Sequence, residues 1–176
     1  MRIYLDNAAT SWPKPEAVYA AVDRYQREVG AAAGRGGYHD AVEAQRTVET
    51  ARRELAGLLG AADPNHIVFG GNGSDALNLA IHGMLRPGDH VVATVCDHNS
   101  VLRPLTEESR TGNVEVTYVG CDGAGLVDPD DMRRARRPTT RLAVVTHGSN
   151  VTGAVQPLAE IAAAVKADGV FLLVDA

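Results

Sequence analysis

Four short apolar runs, at residues 91–95, 114–119, 142–145 and 170–174, constrain the fold of this chain more than any other feature. Each is too short for a buried helix, and the runs at 91–95, 142–145 and 170–174 are nearly continuous in apolar residues, so they read as strands covered on both sides, with 114–119 as a further strand. Helical patterns lie between them: a weak one over 101–110, one opened by Asp128-Pro129, and one over 157–166. Strands separated by single helices need crossover connections, and a mostly parallel sheet with helices on both faces satisfies them. The expected class is α/β, a three-layer α/β/α arrangement.

Ahead of these runs, Pro15 opens a helix through about Glu28 that Gly30 ends, and Gly34-Arg35-Gly36-Gly37 forms a glycine loop. Asp40 is expected to cap a longer helix in which Ala41, Ala44, Val48, Ala51, Leu55, Leu58 and Leu59 share a face, with Gly60 as its left-handed stop. A strand at 66–69 and a helix at 74–85 follow. The expected division is an amino-terminal segment with the glycine loop, 1–40, and a second region, 41–176.

Charge narrows the ligand. A net charge of −5 across 176 residues offers no basic footprint for nucleic acid or an anionic membrane, and no apolar run approaches a membrane span. The first residues turn polar too soon for a signal peptide, so a cytoplasmic protein with a small-molecule ligand is expected. Cys96 and Cys121 have no metal-ligand spacing and make no disulfide framework, which fits a reducing compartment; no metal is expected.

Ligands of open α/β sheets bind beyond the carboxyl ends of the strands, and four such places are polar here. Gly70-Gly71-Asn72-Gly73-Ser74-Asp75 could hold a phosphate on a helix amino end, or be a glycine turn with Ser74 as a plain cap. His98 follows the run at 91–95 and could stack on an aromatic ligand or move protons; a structural histidine is the plainer alternative. Asn150 sits in the polar stretch 146–153, where a loop cap is the plainer alternative. Asp175 ends the last run with no Arg or Lys nearby in sequence, so its partner is expected to be a ligand. A phosphate cup, a stacking histidine, an asparagine and a buried acid on successive strand ends describe a site for pyridoxal 5′-phosphate.

Tyr4-Leu5-Asp6-Asn7-Ala8-Ala9-Thr10, GNGSDALNLAIHG from Gly71, GDHVV from Gly88, DHNSVLRPL from Asp97, THGSNVTGAVQPLAEI from Thr146 and LLVDA from Leu172 together resemble the class V aminotransferase family. The likeness is closest to cysteine desulfurases and selenocysteine lyase-like proteins, and it covers essentially the whole chain. It implies the large domain of a pyridoxal phosphate-dependent transferase, with Gly73 and Ser74 at the cofactor phosphate, His98 on its ring, Asn150 beside the phenolic oxygen and Asp175 at the pyridine nitrogen. His98 and Asp175 are the residues implied in catalysis. Asn7, Ala8, Thr10 and Asn150 are implied near the substrate carboxylate, and either Tyr38 or His39 would face the site where the family often has a histidine directly after the glycines.

In that family the chain runs on from the last aspartate to a Schiff-base lysine, and in desulfurases to a persulfide-forming cysteine. Here the lysines are Lys14 and Lys166 alone, and neither matches that position. The expectation is therefore the amino-terminal part of a cofactor-binding domain, inactive by itself and marginally stable, with four strands paired and the strand at 66–69 orphaned. The complete protein would be a homodimeric desulfurase of L-cysteine. A class V aminotransferase, a selenocysteine or C–S lyase, and a non-catalytic split module are the alternatives.

Overall fold

The four apolar runs form one parallel sheet. In the computed structural model, which describes residues 3–167 and 169–176, they are β1 (His90–Thr94), β2 (Glu115–Val119), β3 (Thr140–Thr146) and β4 (Phe171–Asp175), in the order β2-β1-β3-β4. Every pairing is parallel, with Thr94 opposite Val119 and Thr146 opposite Asp175. The central strands bury both faces by alternation. Val91, Ala93, Leu142 and Val144 face one core, while Val92, Ala143 and Val145 face the other.

Helices fill both layers. α3 (Gly73–Met84) and α4 (Asn99–Arg110) supply Leu77, Ile81, Val101 and Leu105 to the first core. α5 (Pro129–Ala135) and α6 (Leu158–Val165) supply Met132, Ile161 and Val165 to the second. Asp128 caps α5 as its sequence suggests, accepting from the Asp130 N–H at 2.8 Å. The chain passes from β1 to β2 in one direction along the sheet and from β3 to β4 in the other. The carboxyl ends of β1 and β3 are therefore the switch point of the topology, the place where such sheets bind ligands.

The chain divides into two compact units, one ending at Phe69 and one beginning at Gly70. The sheet and its four helices are the second. In the first, α1 (Glu16–Arg24) runs into a π-helical turn, Tyr25–Val29, which Gly30 ends at φ 57°. α2 (His39–Leu59) stops at Gly60, whose φ of 69° suits glycine, and an Arg24–Glu43 ion pair at 2.9 Å links α1 to α2. Two expectations change here. Asp40 does not cap α2: Tyr38 holds the cap position, and the Asp40 carboxylate pairs with the His39 ring at 3.0 Å. The expected apolar face of α2 is covered only in part, since Ala41 and Ala44 are buried while Ala51, Leu58 and Leu59 are exposed.

The strand expected at 66–69 does not form. Pro64–His66 is a 3-10 turn held by the Asp63 carboxylate, and the residues after it pair with no strand among those described. Extended, apolar residues become a strand only when a neighbour accepts their ladder, and here none does. Among the described residues no helix is long and apolar enough to cross a membrane.

Candidate functional site

The second unit gathers its polar groups on the carboxyl edge of the sheet. α3 begins there with a cap the sequence did not single out: Asn72 Oδ1 accepts from the Asp75 N–H at 2.8 Å. Because Asn72 does the capping, Ser74 does not. Its hydroxyl instead meets Ser100 Oγ at 2.6 Å. The Gly73 and Ser74 amides find no acceptor among the described residues, and a Cβ on Gly73 would meet nothing within 4 Å. Open space, two unspent N–H groups, a hydroxyl and the positive end of a 12-residue helix thus lie together.

His98 closes the other side of this group. It is the N-cap of α4, with Nδ1 accepting from the Ser100 N–H at 3.1 Å and lying 2.9 Å from Ser100 Oγ. An Nδ1 that accepts leaves the neutral ring's proton on Nε2. Ser100 therefore connects Ser74 to His98, and its own proton has two places to go. If it points to Ser74 Oγ, the Ser74 proton is released toward the space before α3.

Asp97, beside His98, ties the switch point together. Its Oδ2 accepts from the Thr94 N–H at 2.7 Å on β1, and its Oδ1 accepts from the Thr146 N–H at 2.7 Å and the Thr146 hydroxyl at 3.0 Å on β3. Burial pushes this carboxyl above the ordinary aspartate range, and the bonds from Thr94 and Thr146 oppose that rise. From Thr146 the link reaches β4, because Thr146 pairs with Asp175 and the His147 N–H donates to Asp175 O at 2.7 Å.

Asp175 is half-buried at the end of β4, and no side chain among the described residues pairs with its carboxylate. Asn150 is exposed at the tip of a small hairpin that begins at His147. The hairpin is closed by a Gly148–Val155 bridge and by bonds from the Val151 and Thr152 N–H groups to Ser149 Oγ. The buried Gln156 anchors its base, donating to Gly125 O at 2.7 Å and accepting from the Val127 N–H at 2.9 Å. Hydrogen bonding thus brings Ser74 and His98 into one cluster and places Asp175 beside Thr146 in the ladder, while Asn150 stands on the adjoining hairpin.

Asn7, Ala8 and Thr10 belong to the first unit, in a tight exposed loop. Asn7 Oδ1 accepts from the Trp12 N–H at 3.2 Å, and Tyr4 Oη donates to Thr10 O at 2.8 Å. Tyr38 and His39 are also in that unit, both exposed. Reading the sequence missed Asp97, Ser100 and Thr146. Asp97 carries the same signal as Asp175, an acid just past a buried strand.

The sequence profile described as Aminotransferase class-V matches residues 3–176. A protein of Methanothermobacter thermautotrophicus named probable cysteine desulfurase is 39% identical over 99% of this chain, which spans 43% of that protein's length. The cysteine desulfurase IscS of Dictyoglomus turgidum is 31% identical over 99% of the chain and 44% of its own length. Among solved structures, the apo cysteine desulfurase of Thermococcus onnurineus NA1 superposes with a TM-score of 0.88 at 30% identity, covering 99% of this chain and 44% of that one. SspA in complex with cysteine gives 0.87 at 28% identity, covering 98% and 50%. The chain thus spans less than half the length of the curated relatives it matches, and with the profile running from residue 3 to residue 176 it belongs to the class V aminotransferase family.

Proposed function

We propose that this chain provides the cofactor-holding edge of a pyridoxal 5′-phosphate-dependent cysteine desulfurase. The observation that carries the reading is the grouping about the β1/β3 switch point: an open helix amino end with Ser74, the ring of His98 fixed by its cap, and, on the neighbouring β4, the Asp175 carboxylate without a side-chain partner among the described residues. These groups fit the cofactor's chemistry, an anionic phosphate, a flat aromatic ring and a basic ring nitrogen. The names of the relatives, and the cysteine complex of SspA, favour L-cysteine as the substrate of the whole protein.

When bound, the cofactor supplies an electron sink for a carbanion at the substrate's α carbon. The roles of the chain's own residues follow from their chemistry. Gly73 and Ser74 N–H and the Ser74 hydroxyl hold the phosphate, where backbone donors and the helix dipole favour a dianion. His98 would offer its ring face to the cofactor ring, with Nε2–H free to donate because Nδ1 is engaged by the Ser100 N–H. Asp175 keeps a proton on the pyridine nitrogen, since a carboxylate beside a basic nitrogen favours its charged form. Asp97 and Thr146 hold the strand ends on which His98 and Asp175 sit. Asn150, on the adjoining hairpin, would contact the phenolic oxygen.

The test is calorimetric titration of the chain with pyridoxal 5′-phosphate and with pyridoxal. Binding of the phosphorylated form alone, weakened by Ser74→Ala and by Asp175→Asn while circular dichroism stays unchanged, is the expected result. Equal binding of both compounds, or binding indifferent to both substitutions, refutes the assignment. Release of sulfide and alanine from L-cysteine, against keto-acid-dependent amino transfer, then separates desulfurase from aminotransferase in the whole protein.

A further inference from the structure

Cys96 and Cys121 have no part in the site above, yet the fold sets them side by side. Cys96 follows Thr94, the last residue of β1, by two positions, and Cys121 follows Val119, the last of β2, by two. Thr94 pairs with Val119 in a parallel register, and the Val95 N–H donating to Val119 O at 2.9 Å is the last rung of that ladder, so both cysteines leave the sheet from adjacent points of one edge. The Cys96 thiol is perturbed by the Cys121 thiol, so the two groups stand close to one another. Neighbouring strands run roughly 4.8 Å apart, within the roughly 4.4 to 6.8 Å between Cα atoms that a disulfide spans.

We infer that Cys96 and Cys121 form a redox-active dithiol, which closes to an intramolecular disulfide by exchange with a small-molecule disulfide. The exposed Cys121 is the entry point and the half-buried Cys96 the resolving thiol. Burial pushes the Cys96 thiol up to about 11, with the Cys121 thiol and then the Asp97 and Asp122 carboxylates adding to the rise, so Cys96 is the poorer first nucleophile. The Cys121 thiolate attacks one sulfur of RS–SR, the S–S bond breaks, and RS⁻ leaves and takes up the proton that Cys121 lost. The Cys96 thiolate then attacks the Cys121 sulfur of the mixed disulfide and expels the second RS⁻, which is protonated in turn. Two protein thiols are oxidised and one small disulfide is reduced to two thiols. The new bond stands next to Asp97 and two residues from His98, so it fixes the segment that carries both.

The probe is bis(2-hydroxyethyl) disulfide, which is neutral and therefore not repelled by Asp97 and Asp122. In the folded 176-residue chain it should remove two hydrogens in mass and leave no adduct, with a peptide map joining Cys96 to Cys121. Closure should be favoured at least ~10-fold over the urea-unfolded chain, equivalent to about 30 mV for this two-electron couple. Cys96→Ser should accumulate the mixed disulfide on Cys121. Stable adducts without an internal link, links only between chains, or closure no more favourable than in the unfolded chain overturn the inference. The folded-against-unfolded comparison uses the unsubstituted chain and decides the matter even where a variant fails to fold.

Discussion

Ser100 shows how much one side chain can decide at the candidate site. Its hydroxyl stands 2.6 Å from Ser74 Oγ and 2.9 Å from His98 Nδ1, and its N–H already satisfies that nitrogen. The hydroxyl is therefore free to donate to Ser74, which turns the Ser74 proton toward an anion before α3. Ser100→Ala removes this direction without touching the anion's own contacts. A neutral hydrogen bond contributes about 0.5–1.5 kcal/mol net, so phosphate or pyridoxal 5′-phosphate affinity should fall roughly 2- to 10-fold, read by calorimetry. The Ser100 N–H cap on His98 persists in the alanine variant, so helix content should not change. Asp97 matters differently, because each oxygen of its carboxylate faces an N–H and Asp97→Asn must set an NH₂ against one of them. That leaves a buried donor unmet and should cost about 1–3 kcal/mol, visible as a lower urea midpoint at unchanged slope. A midpoint equal to the parent's would show that Asp97 does not hold the switch point.

At the scale of elements, the two edges of the sheet do different work. His90 opens β1 at the amino edge, fully buried, with Nδ1 2.8 Å from Thr140 Oγ1 on β3 and Nε2 2.9 Å from Thr117 Oγ1 on β2. It joins three strands as a neutral ring. Burial lowers its pKa below the ordinary 6.5, Arg137 nearby lowers it further, and Glu115 opposes them. The folded chain then binds fewer protons than the unfolded chain in this range. Stability is complete above about pH 6.5, is lost as pH falls through that value toward the folded pKa, and is flat below it, with a slope of at most about 1.4 kcal/mol per pH unit. Urea midpoints from pH 7.5 down to about pH 5 should show this fall, and His90→Gln should flatten it. An equal slope in the variant would assign the effect elsewhere. The four apolar runs, the Asp128 cap and the Gly60 stop were legible in sequence and form as their residues suggest. What stayed hidden depends on distant partners. Asp97 acts on a residue 49 positions away, which no spacing rule connects to it, whereas residues 66–69, expected to lack a pairing partner, have none among the described residues.

For the molecule as a whole, the lysines are the sharpest constraint on its chemistry. Enzymes that use this cofactor commonly attach it to a lysine amine, and the chain has two candidates, Lys14 and Lys166. Lys166 follows α6 and precedes β4, so it lies toward the amino edge of the sheet, opposite the edge that carries His98 and Asp175. The Lys14 amine is held in its own loop, donating to Ser11 O at 2.9 Å and Thr10 Oγ1 at 3.2 Å. Asp175, Ser74 and His98 can hold the cofactor by charge, hydrogen bonds and stacking, and none of them offers an amine. Binding and covalent attachment should therefore come apart in this chain. Borohydride reduction with bound pyridoxal 5′-phosphate, followed by peptide mapping, should fix no stoichiometric label on Lys14 or Lys166, while calorimetry on the same sample still reports one phosphate-dependent site. Full labelling of Lys166 would mean that the cofactor binds at the amino edge and that the carboxyl-edge site is misplaced. Full labelling of Lys14 would mean that the loop of the first unit, and not the carboxyl edge of the sheet, holds the cofactor. On the proposed assignment, adding a polypeptide that supplies a lysine opposite Asp175 should place the label on that polypeptide alone, because Ser74, His98 and Asp175 would orient the ring and offer no amine.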